Sequence, residues 1–256
     1  MFPIYIPSKG RCGESTTAEL LSKAGIHYWM VVEPHEYVNY RHMYFAHRVM
    51  KLPKDNQGLA YSRQFCKDDS TKAGAKYHWQ LDDDIRSFLL RKQGGHEVLS
   101  SHDALSQIEA EVLRYKNIGQ AGMNQNSWPP NYDRPIAINN LPVQAFLVNN
   151  SVKARFRLPI LNDMDFTMQV LNEGFCTLLF DTLRTNCPPI GTNAGGLNDV
   201  YKKQEVILKS MQQIVKDNPS MSIDKDEKGW HLKKNRIWST FKQRPILIKE
   251  EPFQLR

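Results

Sequence analysis

Three consecutive aspartates, Asp82-Asp83-Asp84, follow the run Tyr77-His78-Trp79-Gln80-Leu81. That run reads as a hydrophobic strand, and open α/β sheets place their ligand sites at the carboxyl ends of such strands. Residues i and i+2 leaving a strand can point to the same side, so Asp82 and Asp84 are spaced to share one divalent cation. Hard carboxylate oxygens suit Mn²⁺ or Mg²⁺, with the remaining positions filled by a diphosphate and water. Three adjacent carboxylates also repel one another unless something cationic neutralises them. The competing reading is an acidic surface turn; Trp79 and Leu81 argue against it, because they imply that a buried strand delivers these groups.

A second cluster is the loop Ser8-Lys9-Gly10-Arg11-Cys12-Gly13 after a first predicted strand, Phe2 to Pro7. Ser8, Lys9 and Arg11 stand where a nucleotide meets the sheet edge, and Gly10 and Gly13 allow close approach by backbone N–H groups. The spacing is not that of a Walker A loop, and Glu14 follows Gly13 where lysine is required, which excludes a P-loop nucleotidase. An ordinary β-to-α turn is the alternative. Further on, Asn162-Asp163-Met164-Asp165 opens a predicted helix that stops at Gly174, and either aspartate there can cap backbone N–H groups.

The elements that must position these groups alternate between strand-like and helix-like, which predicts an α/β fold with a mainly parallel sheet flanked by helices. Ser15-Thr16-Thr17 offers caps for a helix stopping at Gly25, followed by a strand over His27 to Glu33 and a helix over Tyr37 to Val49. A loop over Pro53 to Gly58 precedes a helix over Leu59 to Ala73. The middle of the chain reads as a helix over His102 to Tyr115, strands around Asn117 to Met123 and Val143 to Asn149, and a Pro/Asn-rich loop between them. A buried strand, Cys176 to Leu183, is followed by a loop over Cys187 to Gly196 and a helix over Asp199 to Val215.

At 256 residues, with 41% hydrophobic and 24% charged residues, the chain has the composition of a globular enzyme-sized protein with one main domain. Disordered, fibrous and membrane-embedded classes are disfavoured. No signal peptide or spanning segment is recognisable, and four scattered cysteines without a C-x-x-C pair point to a reducing cytoplasm. The formal net charge is +7. Between Lys225 and Lys249, eight Lys and Arg stand against Asp226 and Glu227, a net of +6. Trp230, Trp238 and Phe241 are interleaved with these charges, a composition that suits phosphate contacts plus base stacking, or a solvated basic face whose aromatics are core residues.

Taken together, Ile6-Pro7-Ser8-Lys9-Gly10-Arg11, Val31-Val32-Glu33-Pro34, Leu52-Pro53 with Asn56 and Gly58, and Trp79 to Ile85 resemble GT-A glycosyltransferases. More narrowly they resemble the branch with base J glucosyltransferase and the bacteriophage enzymes that glycosylate hydroxymethylpyrimidines in DNA. Phe180-Asp181-Thr182 followed by Gly195-Gly196 is similar to that branch as well. The resemblance covers roughly residues 1–200, a GT-A-like nucleotide-sugar-binding and catalytic domain, leaving residues 201–256 as a C-terminal helix and basic aromatic extension packed on it.

The resemblance implies roles residue by residue. Ser8, Lys9, Gly10 and Arg11 would hold the nucleotide diphosphate and Glu33 would lie beside the uridine or ribose. Asn56, Gly58, Arg63, Asp82, Asp83, Gly195 and Gly196 complete the donor site. Asp82 and Asp84 would bind the metal, with His231 a candidate third ligand or merely a packed imidazole. Asn162-Asp163-Met164-Asp165 sits where inverting members carry the general base, but Asn162 departs from the usual Glu-Asp pattern and leaves the choice between Asp163 and Asp165 open, with Asp163 favoured. Lys233, Lys234, Arg236, Trp238 and Lys242 would contact DNA. The expected activity is transfer of a hexose, most simply glucose from UDP-glucose, to hydroxymethylpyrimidines in double-stranded DNA, with no membrane association and no obligate protein partner. The alternatives are the same fold acting on a glycan, lipid or protein acceptor, and a non-catalytic nucleic-acid-binding module.

Overall fold

The computed structural model describes residues 1–127, 134–189, 200, 203–227, 229–233 and 237–248. Gly195, Gly196, Lys234 and Arg236 lie outside these described residues. In chain order the elements begin β1 (Ile4–Pro7), α1 (Thr16–Lys23), β2 (Trp29–Val32), α2 (Tyr37–Met43), β3 (Val49–Lys51), α3 (Leu59–Lys72) and β4 (Tyr77–Leu81). The middle is β5 (Ser87–Lys92), β6 (Gly95–Leu99), α4 (Ser101–Val112), β7 (Ile118–Gln125), β8 (Ile136–Ile138) and β9 (Ala145–Asn149). The chain continues through α5 (Asn162–Asn172), β10 (Cys176–Asn186), α6 (Gln204–Asp217), β11 (Ser222–Asp226) and β12 (Gly229–Lys233).

The main sheet runs β3-β2-β1-β4-β9-β7-β10-β5-β6, with β8 also paired to β10. Strands β3, β2, β1 and β4 are parallel, connected through α1, α2 and α3, so their carboxyl ends gather on one edge. Strand β9 is antiparallel to both β4 and β7, and β10 returns parallel to β7. This is the GT-A-like α/β architecture that the resemblance implies, but the sheet is mixed rather than mainly parallel, because β9, β8, β5 and β6 pair antiparallel. The antiparallel β9 is its least sequence-legible part, because Ala145–Asn149 is buried throughout and its pattern carries no direction. Gly122 on β7 permits the close approach, since a Cβ there would collide with the Ala145 carbonyl oxygen and the Phe146 Cα.

Two departures from the sequence reading have local causes. The helix expected over Tyr37 to Val49 stops at Met43, and Tyr44 is extended, because Val49–Lys51 pairs in parallel with β2 and forms the sheet edge. The β5–β6 hairpin turns through Gln93-Gly94, with Gly94 at φ 83°, a left-handed conformation that glycine adopts without steric cost.

Strand β4 explains why the aspartates are held firmly. Tyr77, Trp79 and Leu81 enter the main core, while His78 and Gln80 face α3 and its surroundings. His78 is fully buried; its Nδ1–H donates to Asn150 Oδ1 at 2.6 Å and Gln80 Nε2 donates to its Nε2 at 2.9 Å, which selects the neutral imidazole. Burial pushes this histidine down to about 3, with Lys67 adding to the effect and Asn150 opposing it. A depressed histidine stabilises the native state above its ordinary titration range, and that stability is lost as pH falls from about 6.5 toward 3, by a few kcal/mol at the limit. Urea denaturation as a function of pH is therefore expected to show wild-type stability falling more steeply below pH ~6 than that of His78→Gln. Equal slopes would remove His78 as the source.

The C-terminal part is anchored by packing and by side-chain clamps. Leu141, Leu158, Met164, Met168, Ile214, Met221 and Ile237 form a separate cluster, joined by Leu232, Trp238 and Phe241. Gln243 Nε2 donates to the carbonyls of Leu171 and Phe175 at 2.9 Å, which caps the end of α5, and Asn117 Nδ2 donates to the Arg244 carbonyl at 2.9 Å. Among the described residues no helix is long and apolar enough to cross a membrane.

Candidate active site

The first turn of α1 grips the chain that leaves β4. Ser15 caps α1 by accepting from Ala18 N, and its hydroxyl donates to the Asp83 carbonyl at 2.8 Å. Thr17 Oγ1 donates to the Asp82 carbonyl at 2.6 Å and accepts from Ile85 N at 2.9 Å. With the backbone fixed, the three side chains divide. Asp83 turns inward, where Ser8 Oγ donates to its Oδ2 at 2.5 Å and Arg11 Nη1 pairs with its Oδ1. Arg11 Nη1 also lies 3.3 Å from Asp84 Oδ2. Asp82 and Asp84 keep 35% and 25% of their side chains accessible, against 7% for Asp83. The i and i+2 carboxylates are thus the pair that reaches solvent, and Asp83 ties the loop after β1 to the end of β4.

Burial in the cleft floor pushes the Asp82 carboxyl up to about 6, against the pull of Arg63 and with the repulsion of Asp84 and Asp83 added. The crowded floor, rather than complete occlusion, causes this shift, since a third of the side chain still reaches solvent. Arg63, buried on α3, donates from Nη2 to Asp82 Oδ1 at 2.9 Å and from Nη1 to Asn162 Oδ1 at 2.6 Å, with its guanidinium 5.1 Å from the Phe146 ring centroid. Three carboxylates therefore share two guanidiniums, a donor set of hard oxygens with net negative charge that fits a divalent cation. Cys187, just beyond β10, belongs to the same floor: burial pushes its thiol up, and Asp82 and Asp84 push it further. Its neighbours Asp82 and Asp84, just beyond β4, are far from it in the chain, and no local pattern marks it.

The rest of the predicted donor site gathers at the carboxyl ends of β1 and β2. Lys9 Nζ lies 2.9 Å from Glu33 Oε2 and donates to Asn56 Oδ1 at 3.0 Å, while Asn56 N donates to Glu33 Oε1 at 3.0 Å. Gly10 N donates to Glu36 Oε1 at 2.7 Å. Gly58, at φ 81°, starts α3 and delivers Arg63 one turn later. Tyr40, which the sequence reading missed, accepts from Arg11 N at 3.2 Å and shares a 2.9 Å hydrogen bond with Ser8 Oγ. His35 and Asp55, also missed, pair at 2.6 Å, and their ligand atoms and one of Glu33 lie within 4.8 Å of one another. The Lys9 ammonium already supplies positive charge to Glu33 in that cluster.

The helix α5 motif resolves into three different environments. Leu161, at φ 55°, turns the chain into α5, and Asn162 is joined through Arg63 to Asp82, which sets the start of the helix beside the carboxylate floor. Asp163 is partly exposed, and its Oδ1 accepts from Met164 N at 2.8 Å. Asp165 is 1% exposed; Arg157 Nε and Nη2 donate to its two oxygens at 2.9 and 2.8 Å, and Gln169 Nε2 donates to Oδ2 at 2.8 Å. Arg157 also reaches Asp217 on α6 at 2.5 Å, so Asp165 fastens α5 to α6.

The remaining predicted residues that the structure describes have partners other than these aspartates. His231 lies on the β11–β12 hairpin, with Nδ1 3.6 Å from Asp226 Oδ2 and Nε2 3.9 Å from Asp224 Oδ2. Lys233 pairs with Asp224 at 2.5 Å, Trp238 is half-buried against the C-terminal cluster, and Lys242 Nζ donates to the Ser239 carbonyl at 2.6 Å. The stacking surface expected of Trp238 is therefore partly taken up by core packing.

A mixed sheet with paired carboxylates at the end of a central strand, facing a basic glycine-containing loop and an adjacent helix start, defines the class: a GT-A-like glycosyltransferase. The family model described as TET-Associated Glycosyltransferase matches residues 2–196, and the chain belongs to that family. It is accordingly an enzyme that draws on a nucleotide-sugar donor. No curated protein matches the chain.

Proposed function

We propose that this enzyme moves a hexose, most simply glucose from UDP-glucose, onto 5-hydroxymethylpyrimidine bases in DNA, with inversion at the sugar carbon. The observation that carries the donor half is the division of the aspartates, in which Asp83 is held by Ser8 and Arg11 while Asp82 and Asp84 remain partly accessible. The acceptor half is supported by the family match together with the basic balance of the chain.

Asp82 and Asp84 would hold a Mn²⁺ or Mg²⁺ ion, which when bound supplies Lewis-acid charge neutralisation to the departing nucleoside diphosphate. Lys9 and Arg11 add fixed positive charge on the same edge, and Ser8 and Tyr40 hold the loop that carries them. Asn56 and Glu33 present polar atoms for the nucleoside. Asp163, which is ion-paired to no cation among the described residues, takes the proton of the acceptor hydroxyl as that oxygen attacks the sugar carbon in line. One displacement inverts the configuration. The target base leaves the helical stack to reach the sugar.

The test is transfer of radiolabelled glucose from UDP-glucose, with Mn²⁺, to DNA containing 5-hydroxymethylcytosine or 5-hydroxymethyluracil, beside unmodified DNA. Label is expected only in the hydroxymethylated DNA. Metal-dependent UDP release with no label in any DNA would sink the acceptor assignment and redirect the search to glycan, lipid or protein acceptors.

A further inference from the structure

We infer that the acceptor DNA is gripped along the β3 edge of the sheet, by α2, the Tyr44–Arg48 turn and β3, a surface distinct from the C-terminal basic stretch. The inference rests on the DNA acceptor proposed above and names where that DNA lies.

The chain from Tyr37 to Lys54 contains Arg41, Arg48, Lys51 and Lys54, the histidines His42 and His47, and no Asp or Glu. Arg41, His42, His47, Lys51 and Lys54 are exposed. The carboxylates that flank this stretch are engaged elsewhere: Glu33 with Lys9, Glu36 with Gly10 N, and Asp55 with His35. The result is a net cationic strip along α2 and the terminal strand of the sheet.

Aromatic and apolar side chains are interleaved with these charges. Phe45 is 68% exposed and Met43 61%, together with Val38. Phe45 stacks on His47 at 5.7 Å between centroids, His47 lies near-parallel to His27 at 6.5 Å, and His27 meets Trp29 edge-on at 4.8 Å. Arg48 lies 5.0 Å over Tyr28 and 5.7 Å over Phe45, while Arg41 and Lys51 lie 5.5 and 5.4 Å over Tyr37. Guanidinium and ammonium groups interleaved with the exposed Phe45 ring match a polyanion that also offers bases to stack on. Lysines on an edge strand also block sheet-to-sheet pairing. That role does not account for Phe45 and Met43, which would promote association if they faced only water.

The surface is mechanically joined to the donor loop. Met43 packs so closely under Gly13 that a Cβ there would meet its Cε at 2.6 Å, and Tyr40 of the same helix holds Ser8 and Arg11. DNA seated on α2 therefore lies beside the loop that positions the aspartates, within the region from which a flipped base must enter.

The test is fluorescence anisotropy of a hydroxymethyluracil duplex over a series of salt concentrations, using the full chain, Arg41→Glu/Lys51→Glu, Phe45→Ala and, for comparison, Lys242→Glu. Metal-dependent UDP-glucose hydrolysis is measured on each as a fold and donor-site control. The double reversal is expected to weaken binding at least about tenfold and to flatten the slope of log K against log salt by about 2, roughly 0.9 for each phosphate no longer neutralised. Phe45→Ala is expected to weaken binding severalfold with the slope unchanged. Wild-type affinity and slope in the double reversal, or a loss confined to Lys242→Glu, would overturn the inference while leaving the proposed function standing. Failure of the unaltered protein to bind DNA while it hydrolyses UDP-glucose would remove the DNA acceptor itself, and this surface with it.

Discussion

Asp84→Ala is expected to cut metal-dependent cleavage of UDP-glucose roughly 10³-fold, the rate equivalent of about 4 kcal/mol, while leaving thermal stability close to wild type. The asymmetry comes from the geometry of the three carboxylates. Asp84 keeps a quarter of its side chain accessible, and Arg11, its cationic neighbour, retains its stronger partner Asp83 when Asp84 is removed. Asp83→Ala should behave in the opposite way. It strips Ser8 and Arg11 of the acceptor they share in a buried setting, and a broken buried pair costs about 3 kcal/mol or more. Calorimetry on both variants, beside UDP release with increasing Mn²⁺, separates the two roles. An Asp84→Ala protein that unfolds as readily as Asp83→Ala, or that keeps its metal response, would refute the division of labour.

The second large effect concerns the base. Asp163→Asn should lower glucose transfer by about 10²- to 10⁴-fold with no loss of fold, as expected when a positioned general base is neutralised. Slow hydrolysis of UDP-glucose by water should survive better than transfer, since the donor site is intact. Asp165→Ala should instead destabilise the protein, because it leaves the Arg157 guanidinium without its bidentate partner and removes a polar link between α5 and α6. Arg157 remains 39% exposed and keeps Asp217, so the expected loss is nearer 2 kcal/mol than the 3–5 of a fully buried pair. Transfer rates of the folded fraction decide the matter. Asp165→Asn with native stability and no transfer, beside an active Asp163→Asn, would reverse the assignment.

The two aspartates of α5 also mark the limit of a one-dimensional reading. Both are first-turn acids at the start of one helix, and either is chemically fit to cap the helix or to act as a base. They are told apart by Arg157, which arrives from the irregular segment before α5, and by Asp217 on α6. Likewise His231, beside Trp230 in a basic stretch, has the residue type of a metal ligand, and its hairpin partners Asp224 and Asp226 are set by the β11–β12 register.

Contiguous residues were enough to locate the carboxylate floor, the basic loop after β1 and the α/β class. Each is a local pattern: an apolar strand running into acids, a glycine-spaced turn, and helix and strand periods in alternation. Those patterns persist in the fold because β4 is buried on both faces and the first turn of α1 holds the chain just beyond it. Tertiary structure alone decided which of three adjacent aspartates turns inward, where β9 inserts antiparallel, and that Arg63, Asn162 and Cys187 belong to one floor. The physical reason is separation along the chain. Arg63 and Asn162 stand 99 residues apart, and a hydrogen bond or an ion pair at that distance in sequence leaves no periodicity for a local pattern to reveal.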